Sequence, residues 1–324
     1  MPNPIAIIAG EPNSISSEII FKTWKLRKKY KLKKFIIIGS IKLLESQKKK
    51  LKYKIPIYEI KKNFKANSLK NNKFLVFNIN FNQKKPFEKI SKKSNKYIFE
   101  CFKETINLIK KNKISGIINC PVSKETLFKK KNFGITEYLA KKTGNKNKEV
   151  MLIFNKNLSV SPLTTHIPIK NISKNVKKID IINKLKIINN FYIKKLKRKP
   201  KIAVLGLNPH SHSTSKNSEE KKIIAPAIRE FKKININVTG PVSPDTSFMM
   251  YKKNKIDVIF GMYHDQVLTG FKTLYKFDAI NITLGLPFIR ISPDHGTAAN
   301  IVGKKIANPK SLIESVKFFS HINI

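Results

Sequence analysis

The sequence predicts an α/β fold of two α/β/α domains, each built on a largely parallel sheet, with a cleft between them. Short β-branched runs alternate with longer amphipathic segments along the whole chain, as in parallel strands joined by helices. The length of 324 residues suits two domains better than one. Pro and Gly clusters near 120–145 and 285–297 are expected crossing points. We therefore place the first domain at 1–138 plus 296–324, and the second at 139–295.

Local signals predict the elements in chain order. Strands are expected where β-branched and aromatic residues run together, at 5–9, 35–38, 74–79, 114–119, 150–154, 202–206, 256–260 and 279–284. Helices are expected where apolar residues recur every three to four positions, at 15–29, 95–112, 174–196, 218–233 and 309–320. The last helix has the clearest start, because Asn308 is a good N-cap and Pro309 suits the first helical position.

The stretch AGEPNSISSEII follows a predicted strand and opens a predicted helix, as phosphate-binding turns do. It matches neither GxGxxG nor GxxxxGK[ST], and neither pattern occurs elsewhere in the sequence. Any nucleotide would therefore be held without a Rossmann or P-loop signature.

The net charge of +46 comes from 66 Lys and Arg residues against 20 Asp and Glu. Such a charge ordinarily indicates nucleic acid or an anionic membrane as partner. Here the lysines are spread over predicted helices, loops and turns, and no nucleic-acid-binding motif organises them. We therefore favour compositional drift, and expect no specific nucleic acid and no membrane among the partners. Any binding to nucleic acid should be weak and sensitive to salt.

Cysteine content and hydropathy indicate the compartment. Cys101 and Cys120 form no CxxC pair, and no apolar run approaches the roughly 18 residues of a membrane span. The start MPNPIAIIAG lacks the basic residues and long apolar region of a signal peptide. These features predict a soluble, cytoplasmic protein with reduced cysteines.

Three of the six histidines end short motifs that we expect at strand ends: His166 in SPLTTH, His210 in VLGLNPH and His264 in GMYHDQ. Ligand sites of α/β proteins gather at the carboxyl ends of strands. Three imidazoles meeting there would hold a divalent metal with open positions, supported from behind by Asp265 or Asp245. Each histidine alone reads more simply as a hydrogen-bonded loop residue, and the spacing does not prove convergence.

Arginine is rare in this chain and therefore informative. Four of the 66 basic residues are arginines: Arg27, Arg198, Arg229 and Arg290. Arg290 lies in NITLGLPFIRISPDHGT (281–297), and a guanidinium grips phosphate or carboxylate in a bidentate geometry that lysine cannot reproduce. We favour an anion site over a surface arginine paired with a carboxylate, with Lys272 as a second cation. A metal and cations together describe a small phosphorylated substrate.

Eight motifs together match a known family. They are AGEP with Glu18, IINCPVSKE (117–125), GITEYLA (134–140), TTHIPI (164–169), GLNPH (206–210), GPVSPDT (240–246), MYHDQ (262–266) and NITLGLPFIR with DHGTA (281–298). Along essentially its whole length the sequence thus resembles the 4-hydroxythreonine-4-phosphate dehydrogenase (PdxA) family of pyridoxal phosphate biosynthesis. The segment DHGTAANIVGKKIANP (294–309) is also similar to the nucleotide-holding pattern of isopropylmalate and isocitrate dehydrogenases. Their fold, with the active site in the cleft, is therefore expected.

The resemblance implies the roles of individual residues. The metal ligands would be His166, His210 and His264. The substrate would be contacted by Thr136, Lys272, Asn281 and Arg290, and the nucleotide by His295, Gly296 and Asn308. Asp265 or Lys272 is the expected catalytic base, and a helix cap is the alternative role of Asn308. The metal would be Zn, Co, Mn or Mg, the cofactor NAD or NADP, and the assembly a homodimer with a shared active site.

The implied reaction is oxidation of 4-phosphooxy-L-threonine, a small phosphorylated hydroxy amino acid, to 2-amino-3-oxo-4-phosphooxybutanoate, which decarboxylates to 3-amino-2-oxopropyl phosphate. One alternative is a related dehydrogenase of another four-carbon phosphorylated acid, such as threonate or erythronate 4-phosphate. Two others are a basic nucleic-acid-binding protein on a retired enzyme scaffold, and a phosphate acyltransferase.

The chain departs from the family pattern at three places. Ile135 replaces the histidine of the GHTE motif and removes a polar contact to the substrate. Ser14 and Ser16 replace two glycines of GEPAGIGPE, where glycine would permit unusual backbone angles. The loop after His210 reads SHSTSKNSEE (211–220) and is one residue shorter than the family's glycine-rich loop. These changes bear on substrate choice and loop closure and leave the three histidines in place.

Overall fold

The computed structural model describes residues 3–70, 72–128, 134–211, 216–276 and 278–322. Its strands are β1 (Ile5–Ile8), β2 (Phe35–Gly39), β3 (Ile57–Glu59), β4 (Phe74–Asn78), β5 (Gly116–Asn119), β6 (Val150–Phe154), β7 (Ser159–Thr164), β8 (Ile202–Leu205), β9 (Val238–Val242), β10 (Val258–Tyr263), β11 (Ile280–Leu284) and β12 (Ile289–Pro293). Its helices are α1 (Ser16–Leu26), α2 (Ile41–Lys50), α3 (Asn95–Lys110), α4 (Lys124–Leu127), α5 (Ile135–Lys142), α6 (Ile172–Asn175), α7 (Lys178–Phe191), α8 (Ala225–Lys232), α9 (Pro244–Met250), α10 (His264–Tyr275) and α11 (Lys310–His321). Two π-helical turns extend this set: Tyr192–Leu196 follows α7, and Glu220–Ile224 leads into α8.

The chain divides into two compact units. The first unit runs to Ile135 and resumes with Pro287–Ile322, and the second unit is Thr136–Leu286. The chain returns to the first unit at residue 287, ahead of the expected 296, because β12 pairs in parallel with β5. Arg290 and His295 consequently belong to the first unit, whereas the three motif histidines belong to the second.

The first unit is built on parallel strands in the order β3-β4-β2-β1-β5-β12. Every residue of the central strand β1 is buried. A continuous apolar run is what a parallel strand covered on both faces requires, so the sequence IAII forms a strand without alternation. Phe21, Phe74, Phe102 and Phe319 are the largest side chains fully buried around this sheet.

The second unit has the strand order β11-β6-β7-β10-β8-β9. Strand β10 pairs in parallel with β7 on one side and with β8 on the other, and β9 continues the parallel set beside β8. Strand β6 is antiparallel to both β7 and β11. Val160, Ile259 and Phe271 are fully buried in the core of this unit.

The predicted, largely parallel α/β fold is confirmed. Each of the eight predicted strands is present, and the five predicted helices correspond to α1, α3, α7, α8 and α11. The prediction omitted β3, β7, β9 and β12, as well as α2, α10 and the short helices α4, α5, α6 and α9. Among the described residues no helix is both long and apolar enough to cross a bilayer. Cys101 and Cys120 are buried free thiols, and burial raises the pKa of each.

A buried ion pair fastens α1 to the segment before α11. Glu18 is 1% exposed, and its Oε1 accepts hydrogen bonds from Lys22 Nζ and from the Ala307 N–H, both at 2.7 Å. Lys22 Nζ also donates to the carbonyl oxygens of Lys305 at 3.0 Å and of Ala307 at 2.7 Å. The pair therefore fixes the backbone of 305–307 from two sides.

Replacing Lys22 with Met should lower the free energy of unfolding by about 3 kcal/mol, because the substitution leaves a buried carboxylate without its cation. Urea denaturation measures this loss. Lys103→Met is the matched control, since Lys103 pairs with Glu100 in an exposed pair whose side chains are 63% and 43% exposed. Its cost should stay below about 1 kcal/mol. Equal costs for the two variants would contradict the role given to the buried pair.

Candidate functional site

The three motif histidines follow strands that are neighbours in the second unit. His166 lies two residues after β7, His264 begins α10 directly after β10, and His210 lies five residues after β8. Because these three strands are adjacent and parallel, all three motifs leave the sheet at the same edge. We call this edge, formed by the ends of β7, β10 and β8, the carboxyl edge of the second unit.

Side-chain hydrogen bonds tie the three motifs to one another. Thr164 Oγ1 donates to the carbonyl oxygen of Met262 at 2.8 Å, which joins TTH to MYHDQ. Gln266 Nε2 donates to the carbonyl oxygen of Gly206 at 2.8 Å, which joins MYHDQ to GLNPH. Gln266 Oε1 accepts the Met262 N–H at 2.7 Å, so both ends of this amide are used. The motifs therefore form one connected structure at the carboxyl edge.

The rings of His166 and His264 lie side by side, and His264 and His210 each have a carboxylate next to Nδ1. The ring centroids of His166 and His264 are 5.8 Å apart, with 39° between the ring planes. His264 Nδ1 lies 2.6 Å from Asp265 Oδ1, and His210 Nδ1 lies 3.3 Å from Asp245 Oδ2. A carboxylate on Nδ1 orients an imidazole and directs Nε2 toward a metal, which is typical of metal-binding histidines.

The donor set at this edge fits a divalent metal in its chemistry, but one of its three histidines stands apart from the other two. His210 is the outlying member: its side chain is 77% exposed and stands with Asp245. Within the described ranges no three His, Cys, Asp or Glu side chains are grouped closely enough to hold a metal. The structure thus brings His166 and His264 together and places His210 on the same edge, outside ligating distance of that pair.

A partly buried lysine supports the strand that leads to His166. Lys184, on α7, donates from Nζ to the carbonyl oxygen of Leu163 at 2.8 Å. Burial lowers the pKa of Lys184, while Glu149 and Asp180 oppose this shift. No sequence signal distinguishes Lys184 from the many other lysines. Thr164 and Gln266, in contrast, belong to the motifs TTHIPI and MYHDQ.

Three of the predicted substrate residues also belong to the second unit. Thr136 is the second residue of α5, and Lys272 is half-buried on α10, two helical turns beyond His264. Two turns place the backbones of Lys272 and His264 roughly 12 Å apart along the helix axis. Lys272 is therefore better placed for the far end of a small substrate than for chemistry beside His264.

Asn281 lies away from the carboxyl edge. In the sheet register Asn281 is opposite Ile153, which is opposite Val160, which is opposite Ile259. Asn281 is therefore level with a residue five positions before His264, and three strands to the side, roughly 14 Å. Within one chain the structure does not bring Asn281 to the histidines.

Arg290 is buried in the first unit and is not a surface arginine. It is the second residue of β12, is 5% exposed, and donates from Nε to Asn119 Oδ1 at 2.5 Å. The other arginines have ordinary surroundings: Arg27 stacks on an indole ring, Arg198 pairs with a carboxylate, and Arg229 is exposed. The Asn119 bond fixes the guanidinium plane of Arg290, as bidentate anion recognition requires.

The predicted nucleotide residues lie in the first unit, between β12 and α11. Both ring nitrogens of His295 are buried without a hydrogen-bond partner in the structure. Gly296 is exposed, and a Cβ there would meet nothing within 4 Å, so packing does not require glycine at this position. Asn308 Oδ1 accepts the Lys310 N–H at 2.9 Å and so binds the first N–H of α11, although Pro309, and not Asn308 as predicted, occupies the N-cap position. Unsatisfied buried ring nitrogens are groups that a bound molecule can satisfy, so this segment fits a ligand.

Three N–H groups of the turn after β1 are hydrogen-bonded within the protein and are not directed to a phosphate. The Asn13 N–H is directed to Glu11 Oε1 at 3.2 Å, the Ser16 N–H to Ser14 Oγ at 3.1 Å, and the Ile15 N–H to a carbonyl oxygen at 3.2 Å. The resemblance of AGEPNSISSEII to a phosphate-binding turn therefore does not extend to its hydrogen bonding.

The two serines that replace family glycines are accommodated in this turn. In this stretch Gly10 has a positive φ, 76°, and neither Ser14 nor Ser16 does. Their hydroxyl groups are hydrogen-bonded to each other at 2.7 Å. In the altered loop 211–220, residues 212–215 lie outside the described residues. Ile135, the third departure from the family pattern, is buried at the start of α5.

The buried imidazole of His295 should make stability depend on pH. Burial lowers its pKa below the ordinary 6.5, so in more acidic solution the unfolded chain binds a proton that the folded chain does not. The free energy of unfolding should therefore fall as the pH drops below about 6.5, by at most about 1.4 kcal/mol per pH unit from this group. Urea denaturation at several pH values should show a shallower fall for His295→Leu than for the native protein. Parallel profiles would contradict the prediction.

Comparison with known proteins agrees with the motifs. The family model described as "Pyridoxal phosphate biosynthetic protein PdxA" matches residues 31–319. A 4-hydroxythreonine-4-phosphate dehydrogenase of Sulfurihydrogenibium sp. (strain YO3AOP1) is 38% identical over 317 residues, covering 97% of this chain and 96% of the relative. A protein of Oceanobacillus iheyensis, provisionally named D-threonate 4-phosphate dehydrogenase, is 32% identical over 317 residues, covering 96% and 95%.

A solved structure from Salmonella typhimurium, provisionally assigned as a 4-hydroxythreonine-4-phosphate dehydrogenase, superposes with a TM-score of 0.84 at 28% identity. The match covers 98% of each chain. Fold, motifs and sequence thus agree over nearly the whole length, and the chain belongs to the PdxA family of pyridoxal phosphate biosynthesis, whose named relatives are dehydrogenases.

Proposed function

We propose that this protein is a metal-dependent, NAD(P)-linked dehydrogenase that oxidises 4-phosphooxy-L-threonine to 2-amino-3-oxo-4-phosphooxybutanoate, which loses CO2 to give 3-amino-2-oxopropyl phosphate. The observation that carries the proposal is the meeting of three histidine motifs at the carboxyl edge of the second unit. Relatives named for this activity support it. Two free, buried thiols are in keeping with a reducing cytoplasm as the site of the reaction.

His166, His264 and His210 would hold the metal, which we expect to be Zn, Co, Mn or Mg. When bound, a divalent ion supplies Lewis acidity at the substrate hydroxyl, and a nicotinamide ring accepts the hydride. His210, whose exposed ring stands with Asp245, would supply the third imidazole. Asp265 keeps the His264 ring oriented through Nδ1.

The protein's own groups divide the work of binding and proton transfer. Of the two candidate bases, Asp265 stands beside His264, whereas Lys272 lies two turns farther along α10. We therefore assign phosphate binding to Lys272 and Arg290, and proton removal from the hydroxyl to Asp265 acting through a water molecule, because its Oδ1 is already engaged with His264 Nδ1. Thr136 and Asn281 would hold the remaining polar groups of the substrate. The nucleotide, NAD or NADP, would lie against His295 and Gly296.

The position of Asn281 supports a homodimer with a shared active site. One substrate cannot reach both the histidines and Asn281 of the same chain, but it can reach the histidines of one subunit and Asn281 of its partner. Met249 on α9 and Leu274 on α10 are exposed apolar residues that a partner subunit would cover. Sedimentation velocity distinguishes the proposed dimer from a monomer.

A second candidate substrate follows from Ile135 and from one relative. Ile135 is an apolar, buried residue where the family has histidine, and the Oceanobacillus iheyensis relative is provisionally named for D-threonate 4-phosphate. The proposal predicts faster turnover of 4-phosphooxy-L-threonine than of D-threonate 4-phosphate, because the substrates differ at the amino group that would bind the metal. Steady-state kinetics on the two compounds distinguishes the two activities. Faster turnover of D-threonate 4-phosphate would favour the second activity.

The central test is NADH or NADPH formation, followed by absorbance, with 4-phosphooxy-L-threonine before and after chelation and with metal restored. His210→Ala should abolish turnover and lower the metal content, whereas His321→Ala should change neither, because His321 is an exposed residue at the end of α11. Retention of both turnover and metal in His210→Ala would refute the assigned role. Tight nucleic-acid binding at physiological salt without bound metal would instead favour the retired-enzyme alternative.

A further inference from the structure

Two adjacent acids, Glu219 and Glu220, accept hydrogen bonds from the loop that carries His210. Glu220 Oε1 accepts the N–H groups of Leu207 and Asn208, both at 2.8 Å, and Glu220 Oε2 accepts Asn208 Nδ2 at 2.9 Å. Glu220 is 4% exposed. One buried carboxylate therefore fixes two successive backbone amides and one side chain, directly before Pro209 and His210.

Glu219 also accepts a hydrogen bond from the side-chain amide of Asn208. Its Oε2 accepts Asn208 Nδ2 at 3.0 Å, and its Oε1 accepts the hydroxyl of Ser173 on α6. The Ser173 hydrogen bond lowers the pKa of Glu219. For Glu220, burial pushes the pKa upward, but the hydrogen bonds from Asn208 and Leu207 outweigh it and leave the pKa below its ordinary value. Both acids are thus charged near neutral pH, which strengthens each hydrogen bond they accept.

The loop that carries His210 has an unusual backbone conformation. His210 and Ser211 have φ values of 55° and 53°, in the left-handed region that residues other than glycine seldom adopt. Such conformations persist where the surrounding structure enforces them, and they cluster at functional sites. On the far side, Ser211 Oγ donates to the Val242 carbonyl oxygen and accepts the Gly206 N–H at 3.2 Å. The backbone around His210 is therefore fixed on both sides. Glu220 binds the residues before it, Leu207 and Asn208, and the hydroxyl group of Ser211 is hydrogen-bonded after it.

Glu220 also stands at a special point of its own helix. It begins the π-helical turn Glu220–Ile224, which leads into α8. π-helical turns recur at functional sites. The carboxylate is thus placed by a helix that packs on α7, and not by the exposed part of the loop.

We propose that Glu220 is a positioning residue for the metal site: by holding the backbone of Leu207 and Asn208, it presents His210 at the carboxyl edge of the second unit. It acts through the backbone and contacts neither metal nor substrate. The inference rests on the proposed function, because it takes His210 to be a ligand. It goes beyond that function by assigning the ligand's placement to an acid of a different helix.

The test is titration of the metal-free protein with Co²⁺, followed by calorimetry and by the visible absorption of the bound ion, which reports ligand number and geometry. Glu220→Ala should weaken Co²⁺ binding about 10- to 100-fold, the usual effect of removing a group that supports a ligand, and should alter the absorption spectrum. Glu220→Gln keeps an oxygen for the backbone amides and should show a smaller change. Glu230→Gln is the matched control: Glu230 is on α8, is 39% exposed and pairs with Lys178, so Co²⁺ binding should not change.

Further variants separate positioning from general stability. If Glu220→Ala does not fold, Asn208→Ala, which removes one contact of each acid, should still weaken Co²⁺ binding and alter its spectrum. Lys22→Met lowers stability in the first unit and should leave Co²⁺ binding unchanged. Native affinity and spectrum in folded Glu220 variants, or an equal loss in Lys22→Met, would overturn the inference while the native protein still binds Co²⁺. Absence of stoichiometric Co²⁺ binding by the native protein would overturn the proposed function and the inference together.

Discussion

The pairing of β10 between β7 and β8 is the constraint on which the rest of the second unit depends. Parallel register delivers three motifs that are far apart in sequence to one edge, because the carboxyl ends of parallel strands coincide. The hydrogen bonds of Thr164 and Gln266 then fix the ends of these strands against one another. A one-residue slip of β10 would turn its side chains to the opposite faces and separate the motifs. The histidines are thus placed by backbone pairing first and by their own contacts second.

The sequence predicted the apolar elements well and missed those whose polar residues are satisfied by distant partners. Strand β7 contains Ser159, Ser161 and Pro162 and shows no apolar run, yet it is buried, and Ser159 Oγ is hydrogen-bonded to the hydroxyl of Tyr192 at 2.8 Å. Helix α10 begins without a side-chain cap and contains Gly270, where a Cβ would lie 2.8 Å from the ring of Phe248. Period and capping signals cannot report such elements, because tertiary contacts replace the local signals.

For the site, the informative residues are those that this composition makes rare. Arginine scarcity marked Arg290, which the structure finds buried and fixed by Asn119. The same reasoning applies to the acids, of which the chain has only 20, and it would have marked Glu18 and Glu220, both buried and both holding backbone amides. Lysine carries no such signal, although Lys184 is partly buried and its ammonium group binds the end of β7. The adjacency of the three histidine motifs was not predictable, because it depends on strand order, which local patterns do not specify.

The register also bears on how a complete site is assembled. Asn281 is level with the middle of β10 and three strands to its side, whereas the histidines lie beyond the end of that strand. Five residues along a strand and three strands across correspond to roughly 16 Å and 14 Å. A four-carbon phosphorylated acid is far shorter than this separation, so one chain cannot offer both groups to the same molecule. If both groups act on one substrate, as proposed, the second would come from another copy of the chain, and catalysis would then depend on assembly.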